Sequence, residues 1–243
     1  MSNYHNFKDR EICFFSSESK NDFAIRGYKA DYESFIDYIP SMEKDLRNKK
    51  YNSYCSICQY APMPVFSLTN AKEHWKQFKE WVSVRDLSIV KVDFFVDFDG
   101  TDLKQTFTDA LNARNHLLEL VGSQAQYINI YFSGNKGFHL LGKMGESFGK
   151  TPKDKLRKNY ELAMMLKPLC PTIDETIYDL ARVRKLIGSK VYSPKLGETR
   201  VVSCDSWEDF NKLEIAIANK KWEVWEAMPI KRLNKIELTQ NIP

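Results

Sequence analysis

Residues 89–99 read IVKVDFFVDFD, and this stretch decides the fold. Its apolar run describes a strand entering the interior and emerging on two acids, Asp97 and Asp99. Side chains alternate along a strand, so both acids share one face while Val96 and Phe98 take the other. Two carboxylates held this close repel each other unless a proton or a cation neutralises one. Hard oxygen ligands suit Mg²⁺ or Mn²⁺. The plainer alternative is a solvent-facing strand end that carries two unrelated acids.

Downstream, Asp102 opens a helix on which Leu103, Phe107, Ala110, Leu111, Leu117, Leu118 and Val121 recur at helical spacing. Tyr127–Phe132 and Gly137–Leu141 read as strands. Thr151, Pro152 and Asp154 supply the cap, first-turn proline and box-like acid of a helix running to about Lys167. Arg200–Ser203 is a late strand, and Ser206 caps a last helix with Phe210, Leu213 and Ile217. Upstream, residues 11–15 and 23–28 read as strands and 31–50 as a helix. Next come the connector YNSYCSICQYAPMP and a helix capped by Thr69 or Asn70, with His74, Trp75, Phe78 and Trp81. Mixed strands and helices with hairpin-like joints predict an α+β fold (mixed α/β) rather than a regular doubly wound sheet.

Two further segments carry chemistry. In SGNKGFH, Ser133–His139, Gly134 and Gly137 permit a close turn and the near approach of a phosphate. Lys136 brings a mobile cation, and His139 on the next strand is placed toward the face of the aspartates. Read blandly, this is an ordinary hairpin loop and a core histidine. The third segment, TIDETIYDLARVRK, offers Asp174 as a third carboxylate, followed by Arg182, Arg184, Lys185, Lys190 and Lys195. Acids followed by cations fit phosphoryl transfer, whereas the bland reading is a charged surface loop.

Together VDFD, SGNKGFH and IDETIYD resemble, in order and separation, the motifs of the archaeo-eukaryotic primase family, catalytic small-subunit or primase-polymerase type. DREICFF, AIRGY and YNSYCSICQYAP resemble its upstream elements, so the likeness covers roughly residues 9–203. It implies a primase-like core with an RRM-like sheet and an N-terminal α/β lobe. Residues 1–205 would form this catalytic domain of two closely packed lobes, and 206–243 a C-terminal helical extension packed on the core. The resemblance implies that Asp97, Asp99 and Asp174 hold two catalytic Mg²⁺ or Mn²⁺ ions. The nucleotide's phosphates would lie on Ser133, Gly134, Lys136, Gly137 and His139, then on one or both of Arg182 and Arg184, and on Lys195. Where the family carries a His before that Lys, this chain has Tyr192, Ser193 and Pro194. The implied activity is template-directed nucleotidyl transfer from NTPs or dNTPs on single-stranded DNA. A larger parent chain, an accessory primase subunit or a helicase would be its protein partners.

Composition bounds the alternatives. The chain has 243 residues, 43% apolar, with 15 Phe, 12 Tyr and 5 Trp, which excludes whole-chain disorder. Net charge is +4, but residues 143–200 hold 13 Lys/Arg against 7 Asp/Glu. That basic segment beside an acidic cluster suggests metals meeting phosphates. No basic stretch followed by an apolar run opens the sequence, and no window reaches the ~18 apolar residues of a membrane helix. The five cysteines fit a reducing compartment, so the reading is cytoplasmic with no membrane partner. Cys55 and Cys58 have ligand spacing without a second pair, since Cys13, His74, Cys170 or Cys204 would join only through folding. Two thiols are therefore favoured over a structural zinc. Residues 204–243 offer one capped helix, Trp207, Trp222, Trp225 and a basic tail, so weak, salt-sensitive template affinity is expected.

Two rivals stand beside the primase reading. FFVDFDGT resembles the nucleophile motif of haloacid dehalogenase-like phosphatases, with Asp205 and Asp209 as the later acids. The other rival is a nucleic-acid-binding subunit with a decayed site.

Overall fold

A computed structural model of the chain describes residues 10–16, 25–29, 51–61 and 71–230. The expected helix over 31–50, the Thr69/Asn70 cap, the side chains of His74 and Trp75, and the tail beyond 230 lie outside the described residues. The fold is α+β with antiparallel sheets. Strands β1 (Glu11–Ser16), β2 (Ile25–Lys29), β3 (Tyr51–Ser56) and β4 (Cys58–Tyr60) precede helix α1 (Ala71–Val84). Then follow β5 (Ile89–Val92), β6 (Phe94–Asp99), α2 (Leu103–Val121), β7 (Ala125–Phe132), β8 (Gly137–Met144) and α3 (Pro152–Leu166). Four short strands come next: β9 (Val183–Lys185), β10 (Lys190–Ser193), β11 (Gly197–Arg200) and β12 (Val202–Ser203). Helices α4 (Trp207–Asn219) and α5 (Trp222–Glu226) end the described chain.

IVKVDFFVDFD is not one strand, as its apolar run predicts, but two. Asp93 interrupts it, leaving β5 paired with β4 and β6 paired with β8. The cause is the carboxylate itself. Arg10 reaches Asp93 Oδ1 at 2.8 Å and the Ser56 carbonyl at 2.9 Å, while Arg184 Nη2 lies 3.8 Å from Asp93 Oδ2. All three residues are buried, and a buried charge must be paired to be tolerated. Asn159 of α3 donates to the Asp93 carbonyl at 3.1 Å, closing the break from the helix side. The late strand expected over 200–203 divides likewise, β11 pairing with β10 and β12 with β7.

The central sheet runs β12–β7–β8–β6, antiparallel throughout. Residues 172–174 extend it past β6. Asp99 donates its N–H to the Thr172 carbonyl and Asp174 to that of Asp97, both at 2.9 Å, around a Phe98–Ile173 bridge. From the far edge, the order is therefore 172–174, β6, β8, β7, in a chain running strand, helix, strand, strand, helix, strand.

Alternation puts an apolar cluster on each side of this sheet. Val96, Phe98, Ile130, Phe132, Phe138 and Leu140 pack against Phe107, Ala110 and Leu117 of α2 and Phe210 and Leu213 of α4. Phe95, Tyr131 and Leu141 point the other way, into a cluster with Ile57, Tyr60, Phe78 and Trp81. Ser206 caps α4 through the Asp209 N–H, and the Thr151–Asp154 capping box starts α3. Leu118, expected on the core face of α2, is exposed instead: the helix turns Leu117 and Val121 inward and its neighbour out.

Candidate active site

The charged end of the second sheet face is assembled by register. Tyr131 pairs with His139, His139 with Asp97, and the Phe98–Ile173 bridge sets Asp174 opposite Asp97. Opposed residues in an antiparallel pair share a face, so Tyr131, His139, Asp97 and Asp174 form a row, with Asp99 one pleat beyond Asp97. The position of Asp174 does not depend on the β6 pairing alone. Buried Asp109 of α2 accepts from the Thr172 N–H at 3.0 Å and its hydroxyl at 2.8 Å, and Lys167 donates to the Ile173 carbonyl. Asp174 Oδ1 in turn accepts from the N–H and hydroxyl of Thr176, at 2.8 and 2.7 Å.

The turn Ser133–Gly137 folds over the acids. Ser133 is buried, and its N–H bonds to the Gly137 carbonyl at 2.9 Å. Gly134 has φ +88°, and a Cβ there would meet Val191 Cγ2 at 2.5 Å. At Gly137 a Cβ would lie 2.1 Å from the Phe98 carbonyl oxygen, so only glycine allows the turn so close to the aspartate strand. Lys136 Nζ reaches Asp99 Oδ2 at 2.8 Å, and that bond raises the lysine's pKa. Hairpin β10–β11 backs the turn, with Ser193 donating to Asn135 Oδ1 at 2.7 Å and Thr199 donating to the Gly134 carbonyl.

Electrostatically the site carries excess acid. Asp97 is pushed up to about 8, first by burial and then by the charges of Asp99 and Asp174. Its Oδ1 is buried without a hydrogen-bond partner; His139 Nε2 stands 3.5 Å away, too far for a good bond. His139 is pulled down to about 3 by burial and by Arg184 and Lys185, so it is a neutral imidazole near pH 7. Lys185, on β9 opposite Tyr54, is pulled down to about 8 by burial against the opposing pull of Asp97 and Asp99. Its ammonium lies 4.9 Å from the Tyr54 ring centroid. Burial, with the charge of Asp97 next, pushes Tyr54 up to about 12 and also raises Tyr178.

The remaining candidates separate. Arg182 is half-buried, pairs with Asp179 at 2.9 Å and favours the ionised form of Asp97. Arg184 is buried against Asp93, so of the two arginines Arg182 is the one on the acid side. Lys195 is exposed at the tip of the β10–β11 hairpin, and Lys190 pairs with Glu198 at 2.6 Å and lies over the Trp222 ring. Asp205 and Asp209, the later acids of the phosphatase reading, serve the backbone. Asp205 Oδ1 accepts from the Ile130 N–H at 2.7 Å, and Asp209 Oδ2 accepts from the Asp205 N–H at 3.1 Å. All five cysteines are buried, and burial pushes the Cys58 thiol up to about 12.

Sequence reasoning passed over Asp109 and Tyr54 and gave Lys185 no separate place. The signals were present in part: an acid at a helix position otherwise facing the core, and a Tyr/Lys pair, Tyr54 and Lys185, 131 residues apart in the chain. Hard carboxylate oxygens, one buried and unpartnered, suit a divalent cation. Among the described residues, however, no three His, Cys, Asp or Glu side chains stand in the arrangement of a metal cage, Asp99 being turned to Lys136. Compared with protein-family models and with curated proteins, the chain matches none of either.

Proposed function

We propose that this chain is a metal-dependent nucleotidyltransferase of the primase-polymerase kind, extending a nucleic-acid strand on a single-stranded template. The observation that carries the reading is the backbone pairing that sets Asp174 beside Asp97 on the face shared with Asp99, His139 and the Lys136 turn. Two further features support it. The sheet order with 172–174 as its last strand follows that of a split βαβ unit, which supports the RRM-like sheet that the resemblance implies. Asp205 and Asp209, which a phosphatase would need near Asp97, are engaged at β7, which β8 separates from the aspartate strand β6.

Asp97, Asp99 and Asp174 would hold the divalent ions, which on binding supply charge neutralisation at the α-phosphate and its leaving pyrophosphate. The residues of the chain do the rest. His139, neutral, donates a hydrogen bond to a phosphate oxygen from a fixed ring. Lys136, more than half exposed on its turn, exchanges Asp99 for the triphosphate. Arg182 and Lys185 add positive potential at the acid edge, and the glycines admit the phosphates to the main chain.

A primed and an unprimed template assay with labelled NTPs and dNTPs, in Mg²⁺ and in Mn²⁺, tests the proposal. Incorporation is expected from the wild type and is abolished in Asp97→Ala and Asp99→Ala, with folding unchanged. His139→Ala and Lys136→Ala weaken triphosphate binding, titrated in Ca²⁺, through loss of a phosphate contact. A covalent-like beryllium fluoride adduct at Asp97, with no incorporation in either metal, would overturn it in favour of the phosphatase.

A further inference from the structure

Beside Asp174 a groove of about 500 Å³ opens between the exposed face of α3 and the segment following the acid. Its walls differ in chemistry. Lys153, Arg157 and Tyr160 stand at positions i, i+4 and i+7 of α3, hence on one helix face. Opposite are Glu175, Thr176 and Tyr178. Tyr160 and Tyr178 meet edge to face with centroids 5.4 Å apart, and Tyr160 keeps 43% of its surface exposed. Its neighbour across the groove, Tyr178, has a buried hydroxyl without a partner. Lys153 is exposed; Arg157 touches Glu161 at 3.5 Å, but both groups are well exposed and such a pair holds its members weakly.

We propose that this groove receives single-stranded DNA. Bases would stack on Tyr160, and the backbone would lie along Lys153 and Arg157. A cationic rail next to an open aromatic face is what a sugar-phosphate strand needs. Glu175 repels phosphate from the acid end, which fixes the backbone on the α3 side and turns the bases toward the tyrosines. Thr176 bonds directly to Asp174, so a strand in the groove ends at the carboxylates without crossing the surface. The identity of the strand as template or primer rests on the nucleotidyl-transfer reading of Asp97, Asp99 and Asp174. The binding surface itself does not.

The test is fluorescence anisotropy with a labelled dT oligonucleotide of about 12 nucleotides, within the usual site size of a single-strand surface. Salt is varied between about 50 and 200 mM. Tyr160→Ala is expected to lower affinity about tenfold and Tyr160→Phe to restore it, since stacking needs the ring and not the hydroxyl. Lys153→Ala with Arg157→Ala should flatten the salt dependence by about 1.4 in log–log slope, two single-strand phosphates' worth. Lys72→Ala with Lys76→Ala, exposed on α1, removes equal charge elsewhere and should change little. Equal loss in that control, or full affinity in Tyr160→Ala, overturns the groove. Asp97→Ala separates the two proposals. If it binds dT like the wild type while incorporation is lost, both stand. If the wild type incorporates nucleotide but the groove variants bind dT normally, only the groove fails. If the groove variants lose dT while the wild type never incorporates nucleotide, only the active-site reading fails.

Discussion

Asp93 and Asp97 lie four residues apart on one stretch of chain, and their surroundings are opposite. Asp93, with 4% of its side chain exposed, has Arg10 at 2.8 Å and Arg184 at 3.8 Å. Asp97, with 20% exposed, has two other acids as its strongest charged neighbours and a neutral histidine at 3.5 Å. One carboxylate is neutralised by guanidiniums that the fold brings from residue 10 and residue 184, one on either side of it in the chain. The other is left short of positive charge at a place open to solvent. A buried acid whose charge is balanced by cations holds a structure together, even where, as at Asp93 Oδ2, an oxygen lacks a hydrogen bond; one whose charged neighbours are acids is a place for a cation to bind.

The comparison breaks most visibly in stability. Asp93→Ala strands two buried guanidiniums and should cost about 3–5 kcal/mol in urea unfolding, whereas Asp97→Ala should cost nothing or stabilise. Comparable losses from both would erase the distinction between the two acids.

A smaller effect appears with pH. The carboxyl of Asp97 titrates near 8 in the fold and near 3.9 in the unfolded chain, so the folded state holds its proton more tightly. Its contribution is therefore complete below about pH 4 and is lost as pH rises through 8. Without divalent cations the wild type should lose on the order of 2–3 kcal/mol relative to Asp97→Asn across that window, after allowance for its partial exposure. Saturating Mn²⁺ should remove the difference, because a bound cation holds the carboxylate ionised. Identical pH profiles for wild type and Asp97→Asn in metal-free buffer would refute the assignment of excess acid here.

Smallest is the turn that covers the acids. Gly134→Ala places a side chain at φ +88° and against Val191, which should lower stability by about 1–2 kcal/mol. Triphosphate binding should fall further than that loss explains, since the turn carries Lys136. Unchanged triphosphate affinity would detach the turn from the site.

Much of this arrangement was legible because it is local. The alternation in FFVDFD fixed which acids share a face, and the capping residues of α3 and α4 lie within four positions of their targets. What failed was non-local. Nothing in IVKVDFFVDFD says that Asp93 must break the strand, because its partner Arg10 is 83 residues away. Residues 183–200 read as a charged loop because their strands span three or four residues, too short to show alternation. Lys185 gains its meaning only from the pairing of β9 with β3. Leu118 satisfies the helical spacing on paper and still faces water, since α2 offers more apolar positions than the sheet can cover.

The three candidate ligands are not mechanically equivalent. Asp97 and Asp99 belong to a six-residue strand hydrogen-bonded along its length to β8. Asp174 rides on a three-residue ribbon fastened to the sheet edge by two main-chain bonds, to α2 by Asp109 and to the end of α3 by Lys167. Two acids are thus set in masonry and the third hangs on a hinge pin. The span from Leu166 to Thr172 sets the register of the site: a one-residue slip of the ribbon against β6 would turn Asp174 to the opposite face of the sheet, away from Asp97.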